Sequence, residues 1–524
     1  MSAGATDVVL TLTERLQPLE LAVEVAWWDA ATHAGDDTER RRVEAEVAYT
    51  DALADPDAFA AVRDARAGNG AEPLVARQLD ILHDAFAPNQ VASDLRQETV
   101  ELRANIESTF SAHRGTVHGE PVDDNTIAHV LRSSTDVGER KAVWEASKTV
   151  GAAVADRVRR LAHLRNQAAR DLGHRDHFSL TLATTELDEA RLFATLDEVD
   201  ALTASTFTGW KASLDDALAQ QYGCAKPDLR PWHYDDPFFQ QAPRLVAVDL
   251  DPYFDAVDLA QRTIRTYEGL GLDVGGIVER SDLTPRAGKN QHAFCIDIDR
   301  AGDVRVLCNN VPNEQWMETM LHEFGHGVYF DAVDRSLPWL LRTMHALTTE
   351  GVAMLMGRLV HDRDWLRAIG AVSANDLERV APRLADARRA QLLVFARWVL
   401  VMTNFERALY ANPDADLDTH WWDLVERYQQ LRRPDDRHEP DWAAKIHIAS
   451  APVYYQNYLY GELVASQLQD TLGGEGALVD RAESGRTLVE RFFRPGASLR
   501  WDHLIEHATG EPLSARAFAR QLAQ

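Results

Sequence analysis

The chain has 524 residues, with 82 acidic against 55 basic side chains and a formal charge of -27. That surface disfavours nucleic acid and anionic membranes, and no stretch reads as a membrane span. Its three cysteines, Cys224, Cys295 and Cys308, make no disulfide framework; the N-terminal Met-Ser-Ala-Gly-Ala-Thr-Asp shows no basic segment followed by an apolar one, so a cytoplasmic location is expected.

In chain order, apolar residues at helical spacing predict helices over 11–28, 39–55, 91–110, 137–150 and 153–171. Leu229 to Phe239 is dense in aromatic and polar residues between prolines. It reads as a packed loop and a candidate channel wall; His233 with Asp235 and Asp236 is a weaker basis for a second metal. His292 to Ile298 alternates in part, and Val304 to Cys308 follows a Gly-containing turn, which predicts a β-hairpin. Its edge is either a place for an extended peptide to add a strand or plain packing. A long apolar helix is predicted over 389–410, ending before Asn412-Pro413. Trp398 and Phe405 within it read as core. No linker or internal repeat divides the chain, so one mostly helical unit over 1–524 is expected.

His322-Glu323-Phe324-Gly325-His326 fits the zinc-hydrolase pattern H-E-x-x-H. On a helix, residues i and i+4 share a face, so His322 and His326 can hold one ion together. Glu323, beside them, can take a proton from a water whose pKa the metal has lowered. A catalytic zinc needs a third protein ligand. Glu350 is the only acid between Asp334 and Asp362, in a helical run of Ala, Met and Leu, where a lone carboxylate needs a partner. One Zn2+ per chain held by His322, His326 and Glu350 is therefore expected, although His2Glu also suits other divalent ions.

The chain resembles the angiotensin-converting-enzyme-like zinc peptidases, which are gluzincins. The resemblance runs through the metal motif, Tyr329-Phe330 and Glu350, and through His292-Ala293, Trp421-Trp422-Asp423-Leu424, Lys445-Ile446-His447 and Tyr455-Gln456-Asn457-Tyr458. These motifs concentrate in residues 290–470, with a weaker match around Trp27-Trp28-Asp29. It implies a mostly α gluzincin fold with a deep substrate channel and a small antiparallel β element beside the metal helix. It also implies roles. His447 and Tyr458 would stabilise the oxyanion. Lys445 and Tyr455 would bind the substrate's C-terminal carboxylate, and His292 and Ala293 would contact the peptide. Glu323, His447 and Tyr458 are thus the catalytic set. The implied activity is hydrolysis of short peptides with release of C-terminal dipeptides. The alternative is a thimet-like or oligoendopeptidase activity cutting internal bonds. Neither a nucleic acid nor a membrane partner is expected, and the oligomeric state is not legible.

Three departures from the family pattern stand out. One extra residue lies between His447 and Tyr458, leaving Tyr454 and Tyr455 as competing carboxylate-binding tyrosines. Met354 replaces an aspartate that supports the metal site in the family, with Glu318 as a candidate substitute. Asn457 replaces an arginine that helps bind chloride in animal members, so chloride dependence is not expected.

Overall fold

A computed structural model describes residues 4–68, 70–243, 248–255, 257–369 and 372–523. Residues 1–3, the head of the N-terminal stretch, lie outside them. Helix makes up 71% of the structure, and the strands among the described residues form two antiparallel pairs. The mostly α class is as expected. Among the described residues, no helix is long and apolar enough to cross a membrane.

The expected helices are present with shifted ends, as Ala5–Thr32, Asp36–Leu53 and Ser93–Ala112. Two expected helices are one: Val137–Asp171 runs unbroken from its cap, where the Asp136 carboxylate accepts the backbone N–H groups of Gly138 and Glu139. Gly151 does not end it. A Cβ there would stand 2.5 Å from the carbonyl oxygen of Pro440 and 3.1 Å from the nitrogen of Ala444, so this glycine admits a neighbouring segment at close range. The helix expected over 389–410 begins earlier and spans Ala374–Ala411, with Pro382 inside it. Trp398 and Phe405 are core residues, 1% and 0% exposed.

One hairpin was expected and two are found. β1 (Gly115–Val117) pairs with β2 (Glu120–Val122) across His118 and Gly119, whose φ values are 53° and 86°. Positive φ at both central residues is what a two-residue hairpin turn with the right strand twist demands. β3 (Phe294–Asp297) pairs with β4 (Val304–Leu307), with Phe294 opposite Leu307. His292 and Ala293 precede the strand rather than belonging to it. On its other side β4 is bonded to Asp282, which donates to the Val306 carbonyl and accepts from the Cys308 amide, both at 2.9 Å.

The chain folds into two compact units, each assembled from separated segments. The first comprises Met1–Gln90, Asp249–Ala381 and Tyr460–Phe518; the second comprises Val91–Val248, Pro382–Leu459 and Ala519–Gln524. Three of the divisions fall inside helices, one of them at Pro382, which has no N–H to give to the helical ladder. In the first unit Trp28, Ala31, Ile296, Ile298 and Leu307 form a buried cluster. Trp27 lies 4.2 Å from Phe294, centroid to centroid, so the Trp-Trp pair packs the hairpin. The second unit is built on Val137–Asp171 and Glu189–Tyr222, with buried Trp144, Trp398, Trp421 and Trp442 in its core.

Candidate active site

The metal motif lies on the helix Glu314–Ala332, capped by the Asn313 side chain, which accepts the Trp316 N–H at 2.8 Å. Its apolar flanks, Met317, Met320, Leu321, Phe324 and Val328, are buried. Glu350 lies on the helix Ala346–Gly357. Glycines bring the helices together. A Cβ at Gly325 would stand 2.8 Å from Ala353 Cα, and one at Gly351 would stand 2.5 Å from Val464 Cγ1. One at Gly461 would be 2.9 Å from Met354 Sδ and 3.2 Å from Glu350 Cβ. The small residues thus fix how closely Glu350 approaches the two histidines.

Ligand atoms of His322, His326 and Glu350 all lie within 4.8 Å of one another, the one such cluster among the described residues. The His322 and His326 rings are 5.0 Å apart, and His322 Nε2 is 3.8 Å from Glu350 Oε2. Burial pushes His322 down to about 4, against an upward pull from the Glu462 carboxylate. Burial, then His322, push His326 well below its ordinary value. Both imidazoles are therefore neutral and have lone pairs for a metal. Burial and then Glu462 push Glu350 up to about 7. Burial and then Glu350 push Glu323 up to about 8, against a backbone hydrogen bond from Cys295. Two crowded carboxylates beside two neutral imidazoles suit a divalent cation, whose charge would relieve their repulsion.

Two supports of this cluster are absent from the sequence reading. His326 Nδ1 lies 2.6 Å from the Thr349 hydroxyl, a bond that fixes the ring's orientation and leaves Nε2 for a metal. The Glu462 carboxylate, whose charge acts on both His322 and Glu350, is ion-paired with Arg358. Arg358 also donates to the Ser466 hydroxyl at 3.2 Å. Glu318, the suggested substitute for the missing aspartate, is exposed. Met354 instead fills the contact with Gly461, and the acidic neighbour comes from the next residue, Glu462.

The second unit gathers Lys445, His447, Tyr455 and Tyr458. Lys445 Nζ donates to Gln240 Oε1 at 2.8 Å and lies 5.5, 5.4 and 5.8 Å from the ring centroids of Phe238, Trp398 and Tyr455. Burial pushes Lys445 down to about 8, with Asp236 pulling the other way. Burial and then Lys445 push His447 down to about 4. Tyr455 is 5.2 Å from His447 and 5.7 Å from Tyr458, ring to ring, while Tyr454 lies 5.1 Å from Tyr458. Gln240 was not singled out from sequence, since it stands in no motif; its only signal was the aromatic segment just before it. There the Asp236 carboxylate accepts the N–H groups of Phe238, Gln240 and Gln241. His233 Nδ1 accepts the Arg230 N–H at 2.9 Å, and Asp235 pairs with Arg140, so this segment is a packed loop. His292, in the first unit, is exposed, with its N–H on Asn290 Oδ1 at 2.9 Å.

Two family models cover most of the chain. Peptidase family M3 matches residues 278–524, and angiotensin-converting enzyme matches residues 2–225. Both are gluzincin zinc peptidase families. The chain is a zinc peptidase of the gluzincin type. A search of curated proteins gives no match. The peptidase thus resembles angiotensin-converting enzyme where its motifs are sparse, and family M3 across the metal helices and the Lys445–Tyr458 stretch. The aromatic loop around Phe238 falls between the two matched spans.

Proposed function

We propose that this zinc peptidase is a peptidyl-dipeptidase acting on short, unfolded peptides. The observation that carries the reading is Lys445, an amine held by Gln240 among three aromatic rings, those of Phe238, Trp398 and Tyr455. A point charge in so apolar a setting suits a substrate carboxylate. Tyr455 completes that pocket in this reading, supported by its ring lying near both Lys445 and His447.

His322, His326 and Glu350 would hold the zinc, which would supply Lewis-acid polarisation of the scissile carbonyl and an activated water. Glu323 is the general base: it lies next to His322 in sequence and is not needed as a ligand. His447 and Tyr458 donate to the negative charge that develops on the carbonyl oxygen. His292 and Ala293 contact the peptide backbone. A cytoplasmic location is part of the proposal, and the free thiols of Cys224, Cys295 and Cys308 accord with a reducing compartment.

A second reading, internal cleavage by an oligopeptidase, is favoured by the match of residues 278–524 to peptidase family M3. A mass-spectrometric time course on matched peptides with free and amidated C-termini separates the two. Dipeptides from free acids, with amides cut poorly, support the first reading. Equal cutting of both at scattered internal bonds replaces it with the second.

A further inference from the structure

We propose that Arg165 and Glu406 are positioning residues that hold the turn between His447 and Tyr455 in its working shape. The inference rests on the reading that His447, Tyr455 and Tyr458 serve the reaction. Neither Arg165 nor Glu406 lies in a motif. Both reach the backbone that carries those three side chains.

The turn needs holding. Val453 has a φ of 55° and is 2% exposed. A β-branched residue in the left-handed region is disfavoured, because its branched Cβ crowds the backbone. Such a conformation persists only where the surroundings impose it.

The surroundings that impose it are buried and polar. The Val453 N–H donates to Glu406 Oε1 at 2.8 Å, and the Val453 carbonyl accepts from Gln456 Nε2 at 2.5 Å. Val453 is thus held at both backbone polar atoms. Upstream, Arg165 donates to the carbonyls of Ala449 at 2.6 Å and Ile448 at 3.4 Å, and to the Tyr410 hydroxyl at 3.1 Å. Glu406 is 1% exposed and Arg165 8%, so water is a poor substitute for either bond. Both ends of the turn are tied to helices whose cores are already packed, which is how a loop is given the precision of a helix.

Glu406→Leu keeps the volume and removes the acceptor. Glu406→Gln keeps an acceptor oxygen and removes the acid. Val453→Gly removes the steric penalty that the acceptor offsets. Zinc content, kcat and KM on a free-acid peptide are measured for each. The expected result for Glu406→Leu is a fall in kcat on the order of 10-fold, the scale of one lost buried hydrogen bond, with zinc retained. Glu406→Gln should stay within about 3-fold of wild type. The double variant Glu406→Leu with Val453→Gly should recover most of the loss, because the backbone no longer needs forcing. A purely packing role predicts no loss in Glu406→Leu. A purely electrostatic role predicts that Glu406→Gln is as damaged as Glu406→Leu. Either result overturns the proposal, as does a double variant with no recovery. Should Glu406→Leu not fold, a double variant that folds and is active supports the inference, and one that does not fold overturns it. His447→Ala and Tyr458→Phe run alongside. If neither lowers kcat, it is the functional reading that fails, whatever the Glu406 series shows.

Discussion

The two clusters are built by different means. The proposed zinc ligands stand on helix interiors. Their mutual distance is set by the i,i+4 rise and by glycines that let neighbouring helices close to contact. Lys445, His447 and Tyr455 stand on or beside a turn with a left-handed valine. They are positioned by Gln240, Arg165 and Glu406, all far away in sequence. A helix supplies its own geometry, whereas a turn borrows it. Substitutions in the first cluster should therefore act through the metal, and those in the second through substrate and rate with the metal in place.

The largest effect tests the first half of that contrast. His326→Ala should remove most bound zinc and nearly all turnover, since two ligands hold the ion far less firmly than three. Metal analysis should give about one ion per chain in the wild type and little in the variant. Full retention in both His326→Ala and Glu350→Gln would mean that the ion binds elsewhere. Next comes Glu323→Gln, which should keep its zinc and lose roughly 10²–10⁴-fold in turnover, the range for a positioned proton acceptor. Near-normal turnover, with contaminating protease excluded, ends its assignment as the base.

The same contrast explains what could be read in advance. His322 and His326 are adjacent on a helix by arithmetic alone, and Glu350 stood out as a solitary acid in an apolar run. The hairpin at β3 and β4 was legible from alternation. The hairpin at β1 and β2 was missed, though its His-Gly turn carried the signal. Gly151 reads as a weak point in a helix, but its role depends on Pro440 and Ala444, which no local pattern connects to it. Glu462 and Gln240 belong to the same class. Each is an ordinary polar residue in sequence, and only tertiary packing brings it to Arg358 or Lys445.

Thr349 gives an intermediate test, since it supports the metal without touching it. Thr349→Val keeps the shape and removes the oxygen at His326 Nδ1. Zinc affinity, measured by competition with a chelator, should fall about 10–100-fold, as for other partners of ligating histidines. Thr349→Ser should restore it. Unchanged affinity in the valine variant would make the bond incidental.

The effect expected in the wild type at the second cluster depends on pH and vanishes at neutral pH. Lys445 is pushed down to about 8 because burial disfavours its charge. Below that value the amine is an ammonium and attracts a carboxylate; above it the amine is neutral and attracts little. A bound carboxylate favours the charged form, so the transition should move upward when substrate is bound. The KM of a free-acid peptide should therefore rise between about pH 8 and pH 10, by roughly 10-fold for each unit beyond the transition. The amidated peptide has no anion to lose and should show no such rise. In Lys445→Ala the free acid should bind as poorly at pH 7 as it does in wild type at high pH, with its pH dependence flattened. A parallel rise for acid and amide would place the titration elsewhere and remove Lys445 from the substrate's end. Zinc content of Lys445→Ala at pH 7 should match that of the wild type, because the substitution leaves His322, His326 and Glu350 unchanged.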